Sequence, residues 1–197
     1  MSKYHNDRTF ASDPVSITLS IQKLRRLQPE LFGRWGLFPV FHWGLQIMWP
    51  RAFREMLAEH LQSGDSRAAI VCGIQPELLV AAYTDEQDAV LVLRFPNYLV
   101  NEYNLQLSSR LLTVNTYGRG VRMVRDISPG QRSIGRYTNY YPIIAEFVSD
   151  DMDTIDMRKR GIREAEWKRC ADFANAKLAS PHHKPRDGRP LKSGNPA

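Results

Sequence analysis

The sequence predicts an α+β fold, a mostly antiparallel sheet of about five strands with flanking helices in a single domain, and three observations lead there. Helical patterns sit towards both ends of the 197-residue chain, while short aliphatic and β-branched runs fill its centre. Those runs succeed one another without the regular crossover helices that a parallel sheet requires. Hydrophobic residues at 43% and charged residues at 24% are ordinary globular values, so a core can form without metal or disulfide staples.

Residues 1–13 are polar and read as a flexible amino-terminal segment, with the globular domain expected over 14–179. The first element, VSITLSIQKLRRLQPELF, carries two periods at once. Val15, Ile17, Leu19 and Ile21 alternate like a strand, whereas Ile17, Ile21, Leu24 and Leu27 approximate a helical stripe. Asp13 followed by Pro14 is a good helix start, which favours a helix ending near Pro29. GRWGLFPVFHWGLQIMWP, with Trp35, Trp43 and Trp49, is too short and too broken by Gly and Pro to span a bilayer and reads as a core-packing loop. PRAFREMLAEHLQSG is a helix: Pro50 suits its first position, Phe53, Met56, Leu57 and Leu61 share a face, and Gly64 suits its stop.

AAIVCGI, ELLVAAYT and AVLVLRF are strand-like, the last two joined as a hairpin by DEQD. NYLVNEYN is a short helical candidate, and RLLTVNTY and YPIIAEFV are two further strands. In SDDMDTIDMRKRG a capping Ser149, early acids, late bases and a terminal glycine match the order that a helix dipole favours. EAEWKRCADFANAKL places Trp167, Cys170, Ala171, Ala174 and Leu178 on one helical face. Residues 180–197 hold four prolines and two glycines without apolar periodicity and read as a basic tail, extended or draped over the domain.

The amino terminus lacks the apolar core of a secretory signal and no run of about 18 apolar residues occurs after it, so the expectation is a cytoplasmic protein without a membrane span. Cys72 and Cys170 lie on apolar patterns and are expected reduced and buried. YGRGVRMV offers Gly118 and Gly120 after a strand but no third glycine and no subsequent helix, which argues against a dinucleotide site. Asp150, Asp151, Asp153 and Asp156 lack the glycine and glutamate of a calcium loop. His182 and His183 have no Cys or acidic neighbours to complete a zinc site. No cofactor and no metal are expected.

Net charge is +6, and its placement is uneven. Residues 158–197 carry eleven basic and four acidic side chains, and residues 117–141 carry five arginines against Asp126 alone. The latter segment sets Arg119, Arg122, Arg125, Arg132 and Arg136 among Tyr117, Tyr137, Tyr140 and Tyr141 between two strands. Guanidinium groups with tyrosines suit either a polyanion, with rings stacking on bases, or a protein hot spot. The same composition would also make a twisted hairpin arm with solvated arginines and tyrosines packed back on the sheet.

The expected function is noncatalytic binding of an acidic macromolecule, protein or nucleic acid, through Arg119, Arg122, Arg125, Arg132, Arg136, Tyr137 and Tyr140 together with the basic tail. The alternative is an enzyme acting on an anionic or phosphorylated small substrate. Arg94 in LVLRFP and Glu146 in PIIAEFV sit within apolar strands, and if both pointed inward they would have to pair. Glu146 would then serve as acid or base, Arg94 would hold an anion and His42 could join them. Arg54 and His60, six apart, fall on opposite faces of a continuous helix and form no such pair.

Overall fold

The computed structural model describes residues 11–32, 45–181 and 184–190. Its amino-terminal stretch divides at Ser20. Before it, buried Val15 and Ile17 alternate with exposed Ser16 and Thr18 in extended chain, and the Ile17 N–H donates to the Leu61 carbonyl (3.2 Å). After it runs α1 (Ile21–Leu27), capped by Ser20 Oγ accepting from the Lys23 N–H. The expectation of a helix from Pro14 is therefore corrected: the two-residue period governs 15–19, where it buries Val15 and Ile17, and the helical stripe governs only the residues beyond the cap.

Helix α2 (Leu45–Ser63) begins ahead of the expected start, leaving Pro50 inside its second turn and the chain short of one backbone bond there. Phe53, Leu57 and Leu61 are its buried face, while Met56 is 41% exposed. Gly64 follows its last residue, and a Cβ there would lie 2.6 Å from both the His60 carbonyl and a Val114 methyl, so the site admits glycine alone without a shift.

The strands that follow build one six-stranded sheet, in the order β5-β4-β1-β2-β3-β6. Strands β1 (Asp65–Gly73), β2 (Leu78–Thr84) and β3 (Ala89–Phe95) form an antiparallel meander, β4 (Arg110–Gly118) pairs the other side of β1, and β5 (Asn139–Ile144) pairs β4. All five expected strands are present. The sixth, β6 (Arg186–Asp187), comes from the Pro/Gly-rich tail and runs parallel to β3. Burial of β1 to β3 is nearly continuous along each strand, which explains why their sequences are aliphatic runs and not alternations: both faces are covered.

One cover is α5 (Glu164–Leu178), which lays Trp167, Cys170 and Ala174 on β1, β2 and β3. Before it, α4 (Met152–Gly161) is capped by Asp151, whose carboxylate accepts from the Thr154 N–H. Ser149 instead accepts from the Asp151 N–H, so the expected cap is displaced by two residues. The short helix after β3 is α3 (Tyr98–Glu102). The run YPIIAEFV leaves the sheet at Ile144 and closes as a 3-10 turn, Ala145–Phe147. Both cysteines are free, Cys170 buried and Cys72 partly so. Among the described residues no helix is long and apolar enough to cross a membrane.

Candidate functional site

The connection between β4 and β5 is folded down on the β2–β3 turn. Gly130 donates to the Gln87 and Asp88 carbonyls (3.0 and 3.1 Å), Ile134 to the Glu86 carbonyl (2.9 Å), and Arg132 N–H to the Asp88 carboxylate (3.0 Å). From below, the Gln87 amide donates to the Tyr137 carbonyl (3.2 Å), and Ile127 is buried as an apolar anchor.

Across this loop and the strand ends that flank it the two residue types divide. Tyr117, Tyr137 and Tyr140 are at most 1% exposed. Tyr117 stacks on Tyr137 (centroids 4.8 Å, planes 17° apart) and donates its hydroxyl to Asp65 (2.9 Å), and Tyr140 donates to the Ala82 carbonyl (2.8 Å). The arginines stay outside. Arg119, Arg122, Arg125, Arg132 and Arg136 are all exposed. Arg119 lies over the Tyr137 ring (5.5 Å), and Arg136 reaches the same ring and the Glu86 carboxylate (3.5 Å). Arg119, Arg122, Arg125 and Arg132 meet no carboxylate among the described residues with their guanidinium groups. Between them stand two bare apolar side chains, Val121, fully exposed, and Ile134, 60% exposed.

A charged cleft of about 560 Å³ opens beside the amino-terminal half of α5, lined by Arg67, Asp85, Arg132, Arg158, Arg163, Glu166 and Arg169 among others. Most of its charge is spent internally. Arg67, 3% exposed, gathers Asp13, Asp65 (3.1 Å) and Asp85 (2.6 Å), and its guanidinium is held firmly charged by them against the cost of burial. Burial pushes the Asp65 carboxyl above the usual carboxylate range, with Arg67 opposing. Arg158 pairs Asp13 (2.8 Å) and Arg169 grips Asp88.

A second cleft, of about 580 Å³, opens at the carboxyl-terminal half of α5. Val90, Pro129, Phe173 and Ala176 give it apolar walls, and Arg125, Lys177 and Lys184 bring three cations. Burial pulls the Lys177 ammonium below the ordinary lysine range, with Asp126 opposing, and its Nζ donates to the Asp126 carbonyl. The Asp126 carboxylate itself accepts from Arg186 Nε and Nη2, the latter at 2.6 Å.

Of the alternative catalytic set, Glu146 and Arg94 are not brought together. Glu146 is 2% exposed in the 3-10 turn, accepting from the Leu112 N–H (3.0 Å) and from Lys159 (3.1 Å). Burial pushes its carboxyl up, with Lys159 opposing. Arg94 points outward, where Glu77 stands 3.7 Å away. His42, and the His182–His183 pair, lie outside the described residues.

Sequence reasoning missed Asp65 and Arg67, which it left in the link between helix and strand. Their spacing of two puts them on one face of β1, and that was a usable signal. Lys177 and Lys184 were counted only as part of a basic region. Comparison with known proteins found no matching family model, no matching curated protein and no matching solved structure.

Proposed function

We propose that the chain is a noncatalytic recognition module that contacts an acidic protein through the outer edge of the arginine loop. The observation that carries this reading is a division of roles: Tyr117, Tyr137 and Tyr140 are buried in the loop's base and the strand ends beside it, while Arg119, Arg122, Arg125 and Arg132 stand exposed, without carboxylate partners among the described residues, in the loop that also bears bare Val121 and Ile134. Arginine beside exposed apolar groups suits a protein surface, where desolvated guanidinium groups act as anchors. Single-stranded nucleic acid is the weaker fit, because its binding draws on stacking faces that buried Tyr117, Tyr137 and Tyr140 do not present. The tail contributes less than its composition suggests, since Arg186 pairs with Asp126 and Arg189 with Asp187.

The test is capture from lysate by the wild-type chain and by the triple variant Arg119→Glu/Arg122→Glu/Arg132→Glu, each with and without nuclease. The expected result is a discrete protein that survives nuclease and is lost by the variant. Retention unaffected by the triple reversal, or retention that disappears with the nucleic acid, would overturn the reading.

A further inference from the structure

The cleft at the end of α5 gathers more cationic than anionic side chains around one concavity. In the charged cleft beside the other half of α5, Arg67 is matched by three carboxylates, Arg158 by Asp13 and Arg169 by Asp88. At the carboxyl-terminal end Arg125, Lys177 and Lys184 converge from the loop, the helix and the tail, three elements distant in sequence, onto one concavity. Asp126, the one carboxylate among the described residues that line the site, is already neutralised by Arg186, a fourth cation that is itself buried. Arg125 and Lys184 find no other partner among the described residues. Lys177 uses one of its three hydrogens on the Asp126 carbonyl, which fixes its ammonium at the site and leaves two donors over.

Charge is half of the chemistry, and the walls supply the other half. Phe173, Val90, Pro129 and Ala176 line the same space, and its volume lies in the range of small-molecule sites. Phe173 is held in place by stacking on Tyr83 (6.4 Å, planes 13° apart) and by the Arg169 guanidinium over its ring (5.0 Å). A monoanion would leave most of the positive charge uncompensated. A phosphate monoester presents about two negative charges and three acceptor oxygens, which three separate cationic donors can share.

From this arrangement we propose that the cleft binds a small organic phosphate monoester, its dianion spanning Arg125, Lys177 and Lys184 and its apolar part resting against Phe173 and Pro129. This site shares only Arg125 with the protein-partner reading: Arg119, Arg122 and Arg132, the three positions reversed in the test of that reading, do not line it.

The test is titration calorimetry of the full chain with phenyl phosphate, inorganic phosphate and benzoate at one ionic strength. Phenyl phosphate is expected to bind saturably and at least about tenfold tighter than either of the others, because only it satisfies both halves of the site. Arg125→Ala/Lys184→Ala is expected to weaken it by a further factor of about ten or more, and Ala176→Trp, which fills the cleft from an exposed helix position, to abolish it. The triple variant at Arg119, Arg122 and Arg132 should bind phenyl phosphate as the wild type does. Equal affinity for all three anions, or phenyl phosphate binding undiminished by Arg125→Ala/Lys184→Ala or by Ala176→Trp, would overturn the proposal while leaving the protein-partner reading standing.

Discussion

His60, in the last turn of α2, has both ring nitrogens engaged: Nε2 meets the Val114 carbonyl (2.9 Å), so it carries the proton, and Nδ1 meets the Thr116 hydroxyl (3.2 Å), which donates to it. Burial pulls its pKa from 6.5 down to about 4, with the Val114 bond opposing. An unfolded chain takes up this proton as pH falls through 6.5, and the folded chain resists until about 4, so His60 removes stability across that window. Asp65, Glu86, Glu146 and Glu166, whose carboxyls burial pushes up, act in the opposite sense, because the folded chain binds their protons first. The histidine contribution is isolated by comparing wild type with His60→Gln, in which an amide can still donate to Val114. The stability advantage of the wild type should shrink by on the order of 1 to 2 kcal/mol between about pH 7 and about pH 5 in urea unfolding. Parallel pH profiles for the two proteins would refute this. Glu146 carries a second expectation. Replacing it by Leu strips the acceptor from the buried Leu112 N–H and its strongest partner from Lys159, and should cost about 2–4 kcal/mol, whereas Glu146→Gln keeps an acceptor and should cost about 1 kcal/mol. Equal losses in urea unfolding would mean that the Leu112 contact contributes nothing. The sequence could raise a Glu146–Arg94 pairing but not decide it, because strand alternation assigns a face only while the strand lasts. The chain leaves β5 before Glu146, and Arg94 takes the outward side.

At the scale of elements, the strands were legible because each carries its own aliphatic run, and α4 and α5 because charge order and a helical stripe are local signals. What was not local was not legible. The arginine loop lies down because its backbone pairs with the β2–β3 turn, and its 127 and 130 positions look like ordinary loop residues in the sequence. Gly130 is where this docking is tightest: a Cβ there would overlap the Asp88 carbonyl and carboxylate, which are themselves fixed by Arg169 and by Tyr83 (3.0 Å). Gly130→Ala should therefore lift the loop without unfolding the sheet. The expected cost is about 1–3 kcal/mol, with faster tryptic cleavage at Arg125 and Arg132 than at sites elsewhere. Wild-type cleavage kinetics in the variant would show that the loop tolerates the side chain and that its docking is not confined to the backbone contacts at Gly130. The same constraint bears on recognition, since a docked loop presents its arginines already ordered and forfeits less entropy on binding.

At the scale of the whole molecule, the tail joins what the fold would otherwise leave apart. Residues 184–190 run beside β3, where Gly188 donates to the Arg94 carbonyl (2.8 Å) and packs against the Phe95 ring too closely to admit a Cβ. This covers a sheet edge that would otherwise offer unpaired backbone groups. Arg189 extends the link to Glu30 (3.5 Å), beyond α1. The sequence showed only prolines, glycines and charge here, and a strand of two residues leaves no periodicity to read. Its central tie is Arg186, 1% exposed, which takes the Asp126 carboxylate through two nitrogens and also reaches the Asn139 side-chain oxygen (3.2 Å) and the Tyr140 carbonyl (3.4 Å). One side chain thus fastens the tail, the arginine loop and the start of β5 together. Removing it should do more than lose a contact, because half-buried Asp126 would be left without its charge partner. Arg186→Leu is expected to cost about 3–5 kcal/mol, and Arg186→Leu/Asp126→Leu distinctly less than the sum of the two single changes, since the second substitution removes the stranded carboxylate. The double-mutant cycle is read by urea unfolding. Strict additivity would mean that the two residues contribute separately and that the tail is held by its backbone pairing with β3 alone.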